Sequence, residues 1–366
     1  MATIRCTRCS KPYPLQGLPY RCPDCGGIYD YDNPPDFDPM RVEPALPGIY
    51  RYQHALERFD GAPVVSLGEG NTPLVWEIYE GRPVGLKLES LNPSGSYKDR
   101  ASAITVSQLL GRGVSQAVED SSGNAGASFA AYAARGKLKA RVFVPESASG
   151  PKRAQIVTYG AELVCIPGPR SAAAQAVLRE AEAGAVYASH AFLPFGLPGI
   201  ATIAYELWER LGDSPGTVIA PVGHGGLLLG IVRGFAALEQ KKLIDRIPFY
   251  VGVQAAACAP AVAAFNQGLE SMEAVEEGST LAEGVRVRHP VRIYALVHEI
   301  AKDNGQFIAV QEDEITTAYQ DLARRGFHVE PTSAIVWSAL GKVIQHVPQP
   351  IILILSGAGL KYQPTG

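Results

Sequence analysis

No apolar run in this 366-residue chain reaches the roughly eighteen residues that a membrane helix needs. The opening Met-Ala-Thr-Ile-Arg-Cys lacks the apolar core of a signal peptide. A net charge of −3 leaves no excess of either sign, which argues against bulk binding to nucleic acid or to an anionic membrane. Internal repeats and extended low-complexity stretches are missing as well. These absences point to a cytoplasmic protein. What is present is ordinary for a globular chain, 46% hydrophobic and 19% charged residues. The length suffices for two domains, each with its own core.

Cysteine is sparse, six residues in all, yet four of them fall in one pattern. Cys6-x-x-Cys9 and Cys22-x-x-Cys25 have the spacing of a zinc ribbon, each pair on a knuckle turn that presents two thiolates. Four thiolates would close a tetrahedral structural site with no open position for water. Two disulfides are the competing arrangement, which the missing signal peptide disfavours. Cys165 and Cys258 lie in apolar, strand-like surroundings and read as core.

Three loops carry the chemistry. Asn-Pro-Ser-Gly-Ser-Tyr-Lys-Asp-Arg (92–100) follows an apolar strand and hands the chain to a helix starting near Asp99. Lys98 then stands at the mouth of a turn, a position suited to a Schiff-base lysine for an aldehyde cofactor. A solvated lysine at a helix start is the plainer reading. Ser-Ser-Gly-Asn-Ala-Gly-Ala-Ser (121–128) precedes an alanine-rich helix and offers donors and a tight turn, or simply a helix cap. In Pro221-Val-Gly-His-Gly-Gly-Leu-Leu, glycines at 223, 225 and 226 let consecutive amides point at one spot ahead of a helix dipole, which makes a phosphate cradle.

From Pro83 onward, strands expected at 84–88, 116–119, 140–144, 162–166, 218–221, 249–254 and 350–355 alternate with helical stretches, 171–183 and 199–211 among them. The alternation reads as α/β, a mostly parallel, doubly wound sheet. The acid- and proline-rich stretch 31–39 reads as a linker.

Taken in order, these blocks resemble the pyridoxal-phosphate enzymes of the tryptophan-synthase-β fold type, and within them the threonine synthase family. The likeness runs from about Leu67 to Lys361. It includes Gly-Asn-Thr-Pro-Leu (70–74), the three loops, Pro151-Lys-Arg-Ala-Gln-Ile, Glu330-Pro-Thr-Ser-Ala and Ser356-Gly-Ala-Gly-Leu-Lys. The resemblance implies that Lys98 holds pyridoxal 5′-phosphate and that Asn124 hydrogen-bonds the ring 3′-hydroxyl. Gly223, His224, Gly225, Gly226 and Leu227 would bind the cofactor phosphate, with His224 a loop residue rather than a catalyst. Ser356 would face the pyridine nitrogen. A hydroxyl partner does not hold that nitrogen protonated, which favours elimination and replacement at the β or γ carbon over transamination. Ser121 and Ser122, with Asn124, would take the substrate α-carboxylate.

The same resemblance implies two doubly wound, mostly parallel domains with the cofactor in the cleft between them. Residues 1–30 would form the zinc ribbon, here with a structural zinc. Residues 31–105 and 196–366 would form the large cofactor-binding domain, with 106–195 inserted as the small one. Residues 40–64 resemble an opening arm. Glu283 begins a loop that resembles one approaching the cofactor ring, or a plain turn, and Glu330-Pro-Thr-Ser-Ala reads as a capped helix start. A small amino-acid substrate and a homodimer are the expected partners.

One block departs from the family pattern. Where Ser-His-x-x-Asn-Pro-Phe-x-Leu-Glu-Gly-x-Lys-Thr is expected, this chain has Leu193, Pro198 and Ala201 in place of Asn, Glu and Lys. A lost phosphate-binding lysine removes a charge-assisted hydrogen bond, about 1.5–3 kcal/mol. Lys87, Lys152 or Arg153 would have to supply the charge. Three functions are therefore weighed. The first is conversion of O-phospho-L-homoserine to threonine. The second is a pyridoxal-phosphate ammonia-lyase or β-replacing enzyme acting on serine, threonine or a relative. The third is a non-catalytic binding protein, which the intact Lys98, Asn124 and glycine cradle oppose.

Overall fold

Apolar runs bounded by glycine and proline become strands, and alanine- and leucine-rich stretches between them become helices. The computed structural model describes residues 3–57, 61–146, 150–302 and 305–363. Residues 58–60 of the expected arm lie outside them. In chain order the strands are β1 (Ile4–Cys6), β2 (Tyr29–Tyr31), β3 (Leu74–Tyr79), β4 (Arg82–Lys87), β5 (Gln116–Glu119), β6 (Lys139–Pro145), β7 (Glu162–Ile166), β8 (Thr217–Pro221), β9 (Phe249–Ala255), β10 (Gln306–Val310) and β11 (Ile351–Ile354). The helices are α1 (Lys98–Gly111), α2 (Asn124–Gly136), α3 (Pro151–Thr158), α4 (Arg170–Glu182), α5 (Leu197–Leu211), α6 (Gly226–Gln240), α7 (Pro260–Gln267), α8 (Ile293–Lys302), α9 (Glu312–Arg324) and α10 (Pro331–Val343). None of the described helices is long and apolar enough to cross a membrane.

The chain forms two compact units, one drawn from Met1–Gly70 and Asn92–Gly199, the other from Asn71–Leu91 and Ile200–Tyr362. The first unit is built on the parallel sheet β5-β6-β7. Residues 186–188 run alongside β5: Val118 bridges Tyr187 in parallel, donates its N–H to Val186 O, and accepts from Ala188 N. Helices α1 and α2 pack through Ile104, Val106, Ala127 and Ala130, and Ile49 and Tyr50 join the same core. Tyr50 fixes its 3-10 turn there, its hydroxyl 2.7 Å from Ser107 Oγ. Gly199 lets the start of α5 rest on α1, since a Cβ there would lie 2.1 Å from Arg100 O.

The second unit holds a six-stranded sheet in the order β10-β9-β8-β11-β4-β3. All neighbours are parallel except the edge strand β3, which runs antiparallel to β4. The central strands β8 and β11 are buried at every residue, as expected for a sheet covered on both faces. Helix α10 covers one face with Ile335, Val336 and Leu340 against Ile219, Ile351 and Leu353. The α/β class and the mostly parallel sheets thus match the alternation in the sequence.

Of the six strands in this sheet two escaped it, β3 and β10, both at sheet edges and both mixed in burial. Cys165 requires a correction. It is exposed, because β7 is an edge strand, whereas Cys258 is fully buried as expected.

Candidate active site

Lys98 opens α1, directly after the turn at 92–97. That turn closes through Gly95, whose φ of 87° suits glycine and whose N–H meets Asn92 O at 2.7 Å. The buried Asp99 pins it from the helix side. Its carboxylate accepts Ser94 N–H at 2.6 Å, the Ser94 hydroxyl, and the Ser128 hydroxyl of α2 at 2.6 Å. Asp99 is therefore a structural acid that fixes where its neighbour Lys98 emerges. The lysine is half-buried, its Nζ 4.7 Å from the centre of the Tyr97 ring.

Beyond β5 the chain turns at Ser121, Ser122 and Gly123 into α2. The Ser121 hydroxyl accepts Gly123 N–H at 3.2 Å, and no side chain caps the helix. Gly126 makes this fold-back possible, because a Cβ there would lie 1.8 Å from Ser121 O. The resulting N-terminus, begun by Asn124, presents amides and hydroxyls in a form that suits a carboxylate. Acids crowd just behind it. Glu119 Oε1 lies 2.7 Å from His190 Nδ1, and Asp120 accepts the Tyr187 hydroxyl at 2.7 Å. Burial, followed by the charge of Asp120, pushes the Glu119 carboxyl well above the usual range, while Lys98 and Arg170 pull it back.

In the second unit, β8 runs into the glycine loop and α6. Gly225 caps that helix with φ 93°, and no side chain occupies the cap. The loop is tightly held. A Cβ on Gly223 would approach Gly284 O to 2.8 Å, which sets the Glu283 turn against the cradle, with Glu283 itself exposed. His224 is a loop residue: its carbonyl accepts Arg292 N–H at 3.0 Å, and its Nδ1 lies 3.4 Å from Val291 N. After β11, the buried Ser356 hydroxyl lies 3.1 Å from Ser333 Oγ of α10. Helix α10 does start after Glu330, but not with the side-chain cap expected: Pro331 takes its first position and Glu330 O accepts Ser333 N–H at 2.8 Å.

A model of the pyridoxal-phosphate-dependent enzymes matches residues 65–357. Threonine synthase of Methanocaldococcus jannaschii is 34% identical, over 98% of this chain and 92% of its own. The chain belongs to the threonine synthase family. It is a pyridoxal-phosphate-dependent lyase. The threonine synthase of Synechocystis sp. is also 34% identical, over 86% of this chain and 82% of its own. Among solved structures, a threonine deaminase from T.th. superposes with a TM-score of 0.65 at 27% identity, covering 80% of this chain and 94% of that one. Maize serine racemase shares the fold, with a TM-score of 0.67, 21% identity, and 79% and 88% coverage. An uncapped helix end at Gly225 and a buried hydroxyl at Ser356 fit the phosphate and ring nitrogen of this family's cofactor.

The block that departs from the threonine synthase pattern is buried at Ser189, Ala191 and from Leu193 to Thr202, with His190 and Phe192 half-buried. Leu193 packs with Phe195, Tyr13, Tyr29, Cys6 and Cys22, so it seats the cysteine-rich N-terminus rather than lining an open surface. Tyr20 adds ring contacts to Tyr187 and Phe192 at 5.3 and 5.4 Å. Ala201 is fully buried where α5 meets α6, and a Cβ on Gly234 would come within 2.4 Å of Ala201 O.

Lys87 is not the replacement cation. It is 2% exposed, with its Nζ 2.5 Å from Glu206 Oε2 and 2.7 Å from Thr72 O. Glu206 in turn accepts Asn71 N–H at 2.7 Å, so the pair locks the 71–72 turn onto α5. Arg153 donates to Cys165 Sγ at 3.1 Å and to Glu146 O at 3.4 Å, along the sheet edge. Lys152 stands half-buried in the first turn of α3. The Lys87 pair was invisible in the sequence because its partner lies 119 positions away.

The four ribbon sulfurs lie within 4.8 Å of one another, Cys6 to Cys25 at 3.4 Å and Cys9 to Cys22 at 3.7 Å. Tetrahedral Zn–S bonds of about 2.3 Å place sulfurs about 3.8 Å apart, so the donor set fits zinc.

Proposed function

We propose that the chain converts O-phospho-L-homoserine and water to L-threonine and phosphate. The observation that carries this reading is 34% identity to a threonine synthase across 98% of the chain, with Lys98 held at a helix start by Asp99. Pyridoxal phosphate, once bound, supplies an electron sink for the pair left at the substrate Cα. Lys98 would hold the cofactor, and its Nζ, as a free amine, would take the Cα proton of the substrate. Asn124 meets the ring hydroxyl, and the amides of Gly223, His224, Gly225, Gly226 and Leu227 hold the cofactor phosphate. Ser356 meets the ring nitrogen, while Ser121 and Ser122 hold the substrate carboxylate. A structural zinc on Cys6, Cys9, Cys22 and Cys25 ties the ribbon of residues 1–30 together. The inserted domain of this scheme is 106–195, against 31–105 with 196–366, in a cytoplasmic homodimer.

A second reading is an ammonia-lyase or β-replacing activity on serine, threonine or a relative. It is favoured by the apolar Ala201 and by the likeness to threonine deaminase at 27% identity. The deciding experiment gives cofactor-loaded protein O-phospho-L-homoserine and, in parallel, L-threonine and L-serine. Equimolar phosphate and threonine are expected. Keto acid from threonine or serine, with no phosphate released, would overturn the synthase assignment.

A further inference from the structure

Three backbone groups converge on one side chain near the end of β9. Gln254 is fully buried. Its Oε1 accepts Ala261 N–H at 2.7 Å and Val262 N–H at 3.3 Å, and its Nε2 donates to Val222 O at 3.1 Å. These partners fix which way the amide faces, because a backbone N–H only donates and a carbonyl only accepts. Helix α7 has no side-chain cap at its N-cap, and Pro260 fills its first position. Gln254 thus serves two N–H groups of the first turn from outside the helix.

Toward the glycine loop the same amide sets a direction. Val222 is tied on both sides, its N–H to Val253 O at 2.8 Å and its carbonyl to Gln254. The Val222–Gly223 peptide is trans and planar, so its N–H points opposite to its carbonyl. The Gly223 N–H faces away from Gln254, and no described residue accepts it. Glycine does not hold a peptide plane by itself, so the restraint on this one has to come from a partner. Methionine at 254 would fill the space and hold neither neighbour. Glutamate, as a carboxylate, would serve α7 and have nothing to donate to Val222 O.

We propose that Gln254 is a positioning residue for cofactor retention, whose side-chain amide aims the Gly223 N–H, the first amide of the loop, at the cofactor phosphate. The proposal rests on the cradle reading of residues 223–227 above.

The test strips the full-length protein of cofactor and titrates it with pyridoxal 5′-phosphate and, separately, with pyridoxal, which has the ring and aldehyde but no phosphate. The visible band reads both dissociation constants for wild type, Gln254→Met and Gln254→Glu. Wild type should bind the phosphate form more tightly. Gln254→Met, close in volume, should weaken that form roughly tenfold, the scale of one charge-assisted hydrogen bond, with pyridoxal moving less than twofold. A merely structural glutamine would move both constants together or neither, and either result overturns the proposal. If Gln254→Met fails to fold, Gln254→Glu decides, since its carboxylate keeps the acceptor for α7 and loses only the donor to Val222. A loss confined to the phosphate form then supports the assignment, and an equal loss or none overturns it. A wild type that binds both forms equally defeats the cradle reading and the proposal with it. A wild type that prefers the phosphate form, with variants that keep the preference, defeats the proposal alone.

Discussion

Two junctions, one in each unit, are built alike, a parallel strand that turns through glycine into a helix without a side-chain cap. At β8 and α6 the strand is buried at every residue, and the loop is glycine, one loop histidine and backbone amides. At β5 and α2 the turn is bordered by Glu119, Asp120, Ser121 and Ser122, with His190 and Tyr187 alongside. Backbone amides alone suffice to hold an anion that stays in place. Side chains that titrate or donate are needed where a molecule arrives, reacts and leaves. On the proposed function, the second unit's junction would serve cofactor retention and the first unit's substrate chemistry.

The most severe way to test that contrast is Lys98→Ala. Loss of the visible absorption band and a fall in turnover of at least about a thousandfold are expected, read by spectrophotometry and phosphate release. Next come the buried charges of the second unit, which the contrast assigns to structure. Lys87→Met should destabilise by about 3–5 kcal/mol, because it strands Glu206 without a cation, and Lys87→Met with Glu206→Leu should recover much of that. Urea unfolding of both variants checks it.

Gly225→Ala should cost about 1–2 kcal/mol, since its φ of 93° strains any side chain. The loss should surface as roughly tenfold weaker cofactor binding in a titration of the apo protein, with little change in KM once the protein is saturated. The smallest effect is a pH dependence. The Glu119 carboxyl is raised in the folded protein, chiefly by burial. Its contribution is fully present below the unfolded value of about 4.3 and is lost as pH rises through the folded one. Unfolding free energies at pH 5 and pH 8 should therefore fall more for wild type than for Glu119→Gln; parallel slopes would remove Glu119 from the account.

The strand-helix alternation and the three loops were legible because each is a local pattern. Glycine, serine and lysine mark turns and helix starts over fewer than ten residues. The pairs that decide what the side chains do were not. Glu119 meets His190 across 71 positions and Lys87 meets Glu206 across 119, and neither separation leaves a trace in composition or period. Edge strands failed for a related reason. In β3, half-exposed residues alternate with exposed Trp76 and Ile78, so the apolar residues did not mark a buried face. Leu193 was the most instructive case. As a letter in a motif it stood for a lost polar group, whereas in the fold it is a wall of the small core that the ribbon shares.

That shared core has a consequence for anyone redesigning the protein. Tyr13 and Phe195 meet edge to face at 5.3 Å, and Arg112 lies over both rings while its Nη1 binds Pro14 O at 3.0 Å. The N-terminal module therefore cannot be treated as a detachable tag. A truncation before Asp32 would uncover Leu193 and Phe195 as a sticky patch, and a graft restoring asparagine at 193 would set an amide against the ribbon's aromatic floor. Either edit calls for Tyr13, Tyr29, Leu193 and Phe195 to be exchanged as one cassette.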